Sequence, residues 1–212
     1  MRACHDLRAP LRAIRAHTEL LVKTGDLAEP SGCDPRLAFI IEGAGRMNRL
    51  VDGLSSYAIA LRISPESFVL SPLSVLLRTV MAKLDKERID HRAEVTYGEM
   101  PAVPCDPDRI MELFESLIHH RSRIAPRIHI TTEPQGEGWL FTVRDDGPGL
   151  EAVDLDLIFQ PFARLHSEDR TDPGLDLAIC REIVERHGGK IWAESPAGSG
   201  CTFRFTLTAA PT

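Results

Sequence analysis

The sequence predicts an α+β protein: an N-terminal antiparallel helical hairpin followed by an α/β sandwich with its helices on one sheet face. Three observations lead there. Two N-terminal segments carry apolar residues at alternating steps of four and three, a proline-bearing break follows at Ile63-Ser64-Pro65, and beyond it helical stripes interleave with short alternating runs. The break divides the 212 residues into two expected domains, 1–63 and 64–212.

In the first segment Leu7, Leu11, Ile14, Thr18 and Leu21 form one helical stripe, and Thr24-Gly25 ends the helix. Gly25, Pro30, Gly32 and Pro35 make the connection a loop. A second helix carries Ile40, Ala44, Met47, Val51, Leu54, Ala58 and Leu61, with Leu37, Ile41 and Leu50 as a second stripe beside it. One hairpin cannot cover both stripes. The expectation is therefore a homodimer, in which helices 1–24 and 36–62 of two copies form a four-helix bundle; the alternative packs the second stripe on the domain that follows.

Past the break, Phe68-Val69-Leu70 reads as a short strand, with Ser71 as N-cap and Pro72 as first residue of a helix bearing Leu73, Leu76, Leu77, Val80 and Leu84. Residues 93–97 read as a strand. Asp106 or Asp108 opens a helix with Ile110, Leu113, Phe114, Leu117 and Ile118 inward. Residues 127–132 and 139–144 alternate as strands about a turn at Gln135-Gly136-Glu137-Gly138. Residues 175–187 are helical as far as Gly188-Gly189, and 190–194 and 202–207 close as strands. Trp139 and Trp192 read as core or rim packing.

Composition narrows the function. With 43% hydrophobic and 26% charged residues and a net charge of −6, the chain has ordinary soluble composition and no basic cluster for nucleic acid. Five scattered cysteines without a C-x-x-C pair fit free thiols in a reducing compartment rather than a disulfide frame or a zinc site. No apolar run reaches the length of a membrane span and no signal peptide precedes the first helix, so a cytoplasmic location is expected. The first helix is already under way at the start, so any sensor or membrane anchor is expected upstream.

His5 is the candidate nucleophile. It falls on the helix side opposite the apolar stripe, Asp6 lies next to it, and Pro10 kinks the helix by leaving the Asp6 carbonyl unbonded. An exposed imidazole with a neighbouring carboxylate can attack while the acid takes or orients the proton.

Several separated segments resemble the two-component sensor histidine kinases, especially their phytochrome-like branch. His5-Asp6-Leu7-Arg8-Ala9-Pro10-Leu11 resembles the family's H box, Asp145-Asp146-Gly147-Pro148-Gly149-Leu150 its first glycine box, and Phe159-Gln160-Pro161-Phe162 the aromatic segment under the nucleotide lid. Residues 177–192 and 198–203 are similar to the closing helix, strand and last turn. The resemblance implies that His5 is phosphorylated, that Asp6 acts as base, that Asp145 accepts a hydrogen bond from adenine, and that Gly147 and Gly149 let the backbone approach the base. It implies a histidine-kinase-type ATPase sandwich for the second domain and a response-regulator receiver domain as partner.

The phosphate half departs from the family pattern. Ser116 and His120 stand where asparagines are expected, and an imidazole is a poor ligand for magnesium, which wants oxygen. His119 and His120, adjacent on a helix, point about 100° apart, so no metal site is expected. Arg121 and Arg123 read as solvated surface arginines, with direct phosphate binding as the alternative. The second glycine box, Asp172-Pro173-Gly174-Leu175-Asp176-Leu177, keeps Gly174 of three glycines, loses a donor at Pro173, and places Asp172 and Asp176 where phosphate oxygens would lie. The short lid, with Arg164, Glu168, Asp169 and Arg170 in mixed charge, offers no replacement.

These residues lead to a degenerate histidine kinase that exchanges a phosphoryl group between His5 and a receiver aspartate, with Asp145, Gly147, Gly149 and Gly174 as a vestigial nucleotide site and no cofactor bound productively. Two alternatives stand beside it. One is an active autokinase using ATP and Mg²⁺, with Arg121 and Arg123 in place of the metal; the other is a signalling scaffold without phosphoryl chemistry.

Overall fold

The computed structural model describes Leu11 and residues 14–20, 35–122, 125–163, 174–196 and 200–208. His5 and Asp6 lie outside these, as do Arg8, Arg12, Arg123, the lid residues 164–170, Asp172 and Pro173.

Residues 14–20 form helix α1, and Pro35–Ala60 forms α2, close to the expected span. Ala44, Val51, Ser55 and Ala60 of α2 are buried, whereas Phe39, Ile40, Met47 and Leu54 are exposed. The helix thus keeps an apolar flank outward while its C-terminal half packs on the α/β region. Tyr57, Ala60 and Ile63 join that core directly.

The α/β region runs β1 (Val69–Pro72), α3 (Leu73–Lys83), α4 (Asp85–His91), β2 (Glu94–Tyr97), β3 (Ala102–Cys105), α5 (Pro107–Ser122), β4 (Arg127–Gln135), β5 (Gly138–Asp145), α6 (Asp176–Arg186), β6 (Ile191–Glu194) and β7 (Thr202–Thr208). Five strands make the main sheet in the order β2-β4-β5-β7-β6, antiparallel except for the parallel β2–β4 pair, and β1 pairs with β3 separately. Alternation places Ile128 and Ile130 of β4, Phe141 and Val143 of β5, and Phe203, Phe205 and Leu207 of β7 on one face, where α5 and α6 cover them. Phe141 and Phe205 stack at 4.8 Å, and the edge of Phe114 from α5 meets both rings. The sandwich with helices on one face is therefore as expected.

Local corrections have local causes. Ser71 does not cap α3: Ser71 and Pro72 belong to β1, the Ser71 hydroxyl turns back to the Val69 carbonyl, and Leu73 N–H donates to Pro101 O. Pairing with β3, a strand absent from the sequence reading, draws both residues into extended backbone. Helix α4 was also not anticipated. Asp106 does open α5, its Oδ1 accepting the N–H groups of Asp108 and Arg109. The 135–138 turn forms a two-residue hairpin with Gly136 at φ +58°, the left-handed conformation that favours glycine. Trp139 packs against the core, and the Trp192 indole N–H donates to Glu194. Cys105, Cys180 and Cys201 are free and buried. Among the described residues, no helix is long and apolar enough to cross a membrane.

Candidate functional site

The apolar stripe of α5 runs Ile110, Phe114, Leu117 and then Arg121, so helical geometry points the arginine inward beneath the end of β5. Arg121 is fully buried, not a solvated surface residue, and this corrects the sequence expectation. Its Nη2 donates to Asp145 Oδ1 at 2.7 Å and its Nε lies 2.6 Å from Oδ2, with both side chains wholly shielded from solvent. The Nε contact is out of line for a hydrogen bond, and Nη1 has no partner among the described residues. The Phe203 ring lies under the guanidinium, 5.9 Å from its centre.

Asp145 also accepts the Gly147 N–H at 2.8 Å and the Cys201 N–H at 3.3 Å, both on Oδ1. The glycines of this turn serve contacts within the chain. A Cβ on Gly147 would meet Asp145 Oδ1 at 2.9 Å and Arg121 Nη2 at 3.1 Å; one on Gly149, at φ +77°, would meet Ser195 Oγ at 2.7 Å. Ser195 fastens the turn, accepting the Leu150 N–H and donating to Gly200 O. Beside it, Asp146 binds the Arg127 side chain, which holds its carboxyl below the usual range.

Gly174, at φ +70°, is pressed against the aromatic segment: its carbonyl accepts the Phe162 N–H, and a Cβ would meet Ala163 O at 2.4 Å. Leu175 is buried against α2, where a Cβ on Gly53 would come within 2.8 Å of it. Asp176 opens α6 and lines a cavity of about 630 Å³ together with Glu112, Ser116 and His119 of α5 and Ser56 of α2. The structure therefore separates the predicted residues into two groups. Asp145, Gly147 and Gly149 surround a closed ion pair, whereas Asp176 and Ser116 face an open cavity.

Beneath this cavity lies Cys180, whose thiol is pushed up by burial, with Asp176 adding to the effect. Cys201, behind Asp145, is raised by burial to about 11. Both are protonated thiols without nucleophilic character at neutral pH.

Residues 105–211 match the family "Histidine kinase-, DNA gyrase B-, and HSP90-like ATPase". Along 97% of its length the chain is 34% identical to cyanobacterial phytochrome A of Nostoc sp., covering 27% of that protein. The chain belongs to the histidine kinases. It corresponds to the catalytic region of a two-component sensor histidine kinase and spans about a quarter of the length of that curated relative. Its fold matches full-length ShkA in complex with AMPPNP (TM-score 0.73, 21% identity, 99% of this chain and 46% of that one). It also matches histidine kinase ThkA in complex with response regulator protein TrrA (TM-score 0.64, 23% identity, 99% and 60%). The helical pair followed by the ATPase-type sandwich is thus the histidine-kinase arrangement.

Proposed function

We propose that this region relays a phosphoryl group through His5 and has lost or weakened its use of Mg-ATP. The charge of the cavity at the start of α6 carries the reading. Asp108, Glu112, Glu115 and Asp176 line it against Lys83 and Arg109. Lys83 is bound to Glu115 and Arg109 to Glu112, so these charges cancel in pairs and Asp108 and Asp176 leave the described lining net negative. A like charge about 4 Å from a phosphate costs on the order of 4 kcal/mol at an effective dielectric of 20, roughly a thousandfold in affinity. Ser116 and His120 supply no amide oxygen for a hard cation. The residues present do not fit Mg-ATP.

The remaining chemistry needs His5, Asp6 and a partner. The N–P bond of phosphorylated His5 breaks as a P–O bond forms to a receiver aspartate, or the reverse, and Asp6 orients or takes the imidazole proton. The receiver brings its own Mg²⁺. Crystallisation of ThkA with TrrA supports a response-regulator receiver domain as the partner. The face below His5 would dock it through Arg8, Arg12 and Arg15, the last of which is paired with Glu19 at 3.4 Å on the surface.

In this reading residues 1–63 are the dimerisation and phosphotransfer hairpin and 64–212 the ATPase-like domain. The exposed apolar residues Ile14, Leu20, Phe39, Ile40, Met47 and Leu54 support a homodimer through the helices, for which light scattering should give twice the chain mass. Radiolabelled Mg-ATP should leave no acid-labile, base-stable label on His5; strong label there refutes the loss of ATP use. A phosphorylated receiver should pass its label to the wild type and not to His5→Ala. Equal behaviour of the two proteins refutes the relay.

A further inference from the structure

We propose that Arg121 is a built-in occupant of the base end of the nucleotide site, its guanidinium holding Asp145 in place of a ligand's hydrogen-bond donors. This rests on the reading of the domain as one that no longer uses Mg-ATP, and it names the residue that closes the end away from the acidic cavity.

A carboxylate offers about four lone-pair sites. Here Oδ1 takes three N–H groups, from Arg121 Nη2, Gly147 and Cys201, while Arg121 Nε sits against Oδ2. Neither side chain is exposed. Oδ1 is thus fully taken up, and Oδ2, which has no in-line hydrogen bond of its own, is covered by Nε and shielded from any donor outside.

Space is closed as well. Gly147 lies so near that a Cβ would meet Asp145 Oδ1, Arg121 Nη2 and the Ala125 Cβ, the last at 3.2 Å. Phe203 forms the floor under the guanidinium. A planar base bearing an amino group would approach the carboxylate along the line that the planar guanidinium already takes, so the two exclude each other.

Asp145 is the carboxylate that pairs with this cation among the described residues, and Nη1 has no hydrogen-bond partner there. Since α5 carries Arg121 at a stripe position, its side chain has no way to leave without displacing the helix or the ring below it. Truncation to alanine would free a lone pair on Oδ1 and the whole of Oδ2 and open a guanidinium-sized space.

Adenosine is the probe, because without phosphate it does not engage the acidic cavity. The wild-type chain should show no binding by calorimetry at millimolar adenosine. Arg121→Ala, checked for native circular dichroism, should bind it roughly ten- to a hundredfold more tightly than wild type, and Arg121→Ala/Asp145→Ala should lose the gain. Arg121→Lys keeps a charge beside Asp145, releases one carboxylate oxygen and should gain less. Wild-type binding that Asp145→Asn abolishes overturns the proposal, whatever the variants do. So does a folded Arg121→Ala or Arg121→Lys with no gain. Wild-type binding of Mg-ATP without adenosine binding would overturn the phosphate-side reading alone and leave the assignment of Arg121 standing.

Discussion

Replacing Arg121 by methionine keeps most of its volume and deletes its charge, leaving the Asp145 carboxylate buried with only the Gly147 and Cys201 N–H groups to hold it. Asp145→Asn does the converse, retaining an acceptor oxygen but orphaning a cation with no exposed surface. Removing one member of a buried pair costs about 3–5 kcal/mol, because the survivor stays desolvated without a counter-charge. For a chain of this size that lowers Tm on the order of 10 °C. The double variant Arg121→Met/Asp145→Asn buries no net charge, so its loss should fall short of the summed single losses by roughly 2 kcal/mol or more. Urea denaturation of the four proteins closes the cycle. Since both groups are shielded, the coupling should survive high salt. Additive losses, or a single variant costing less than about 1 kcal/mol, would refute the pairing as the element that holds α5 to the end of β5.

His187 is buried between two backbone groups: Nδ1 lies 2.7 Å from Ile183 O, Nε2 accepts the Asp106 N–H at 3.1 Å, and Phe68 stacks on the ring. Burial lowers its pKa from 6.5, so it is neutral when folded, and its stabilisation is present above about pH 6.5 and lost as pH falls through the folded value. Thermal melts should therefore show Tm dropping between about pH 7 and 5, with a shallower slope in His187→Gln. Phe205→Ala removes a ring that touches both Phe114 and Phe141 and should cost about 3–5 kcal/mol in urea titrations. Cys105, Cys180 and Cys201, all buried with raised thiol pKa values, should resist iodoacetamide in the native chain and react after denaturation, as peptide mass spectrometry will read.

Periodicity made most of the fold legible. Steps of three and four marked α2, α3 and α5, and period-two alternation marked β4 and β5, because each element buries one face. The β3 strand, Ala-Val-Pro-Cys, was missed because it is four residues long, contains a proline and, among the described residues, pairs only with β1. Arg121 was misread for a different reason. A charged residue beside two histidines at a helix end looks solvated, yet position 121 continues the stripe of Ile110, Phe114 and Leu117, and an arginine there must have a buried counter-charge. Gly147 and Gly149 read, through the resemblance, as places where the backbone approaches a base; that they make room for Asp145, Arg121 and Ser195 is a fact of tertiary contact.

The lengths of the strands bear on how copies of the chain can meet. The outermost members of the five-stranded sheet, β2 and β6, have four residues each, against nine, eight and seven for β4, β5 and β7. So short a margin gives a neighbouring chain little ladder to extend, and fibre-like growth through main-chain bonds is disfavoured. Crowding such molecules together then brings side chains on helical surfaces into contact before any backbone edge can template another.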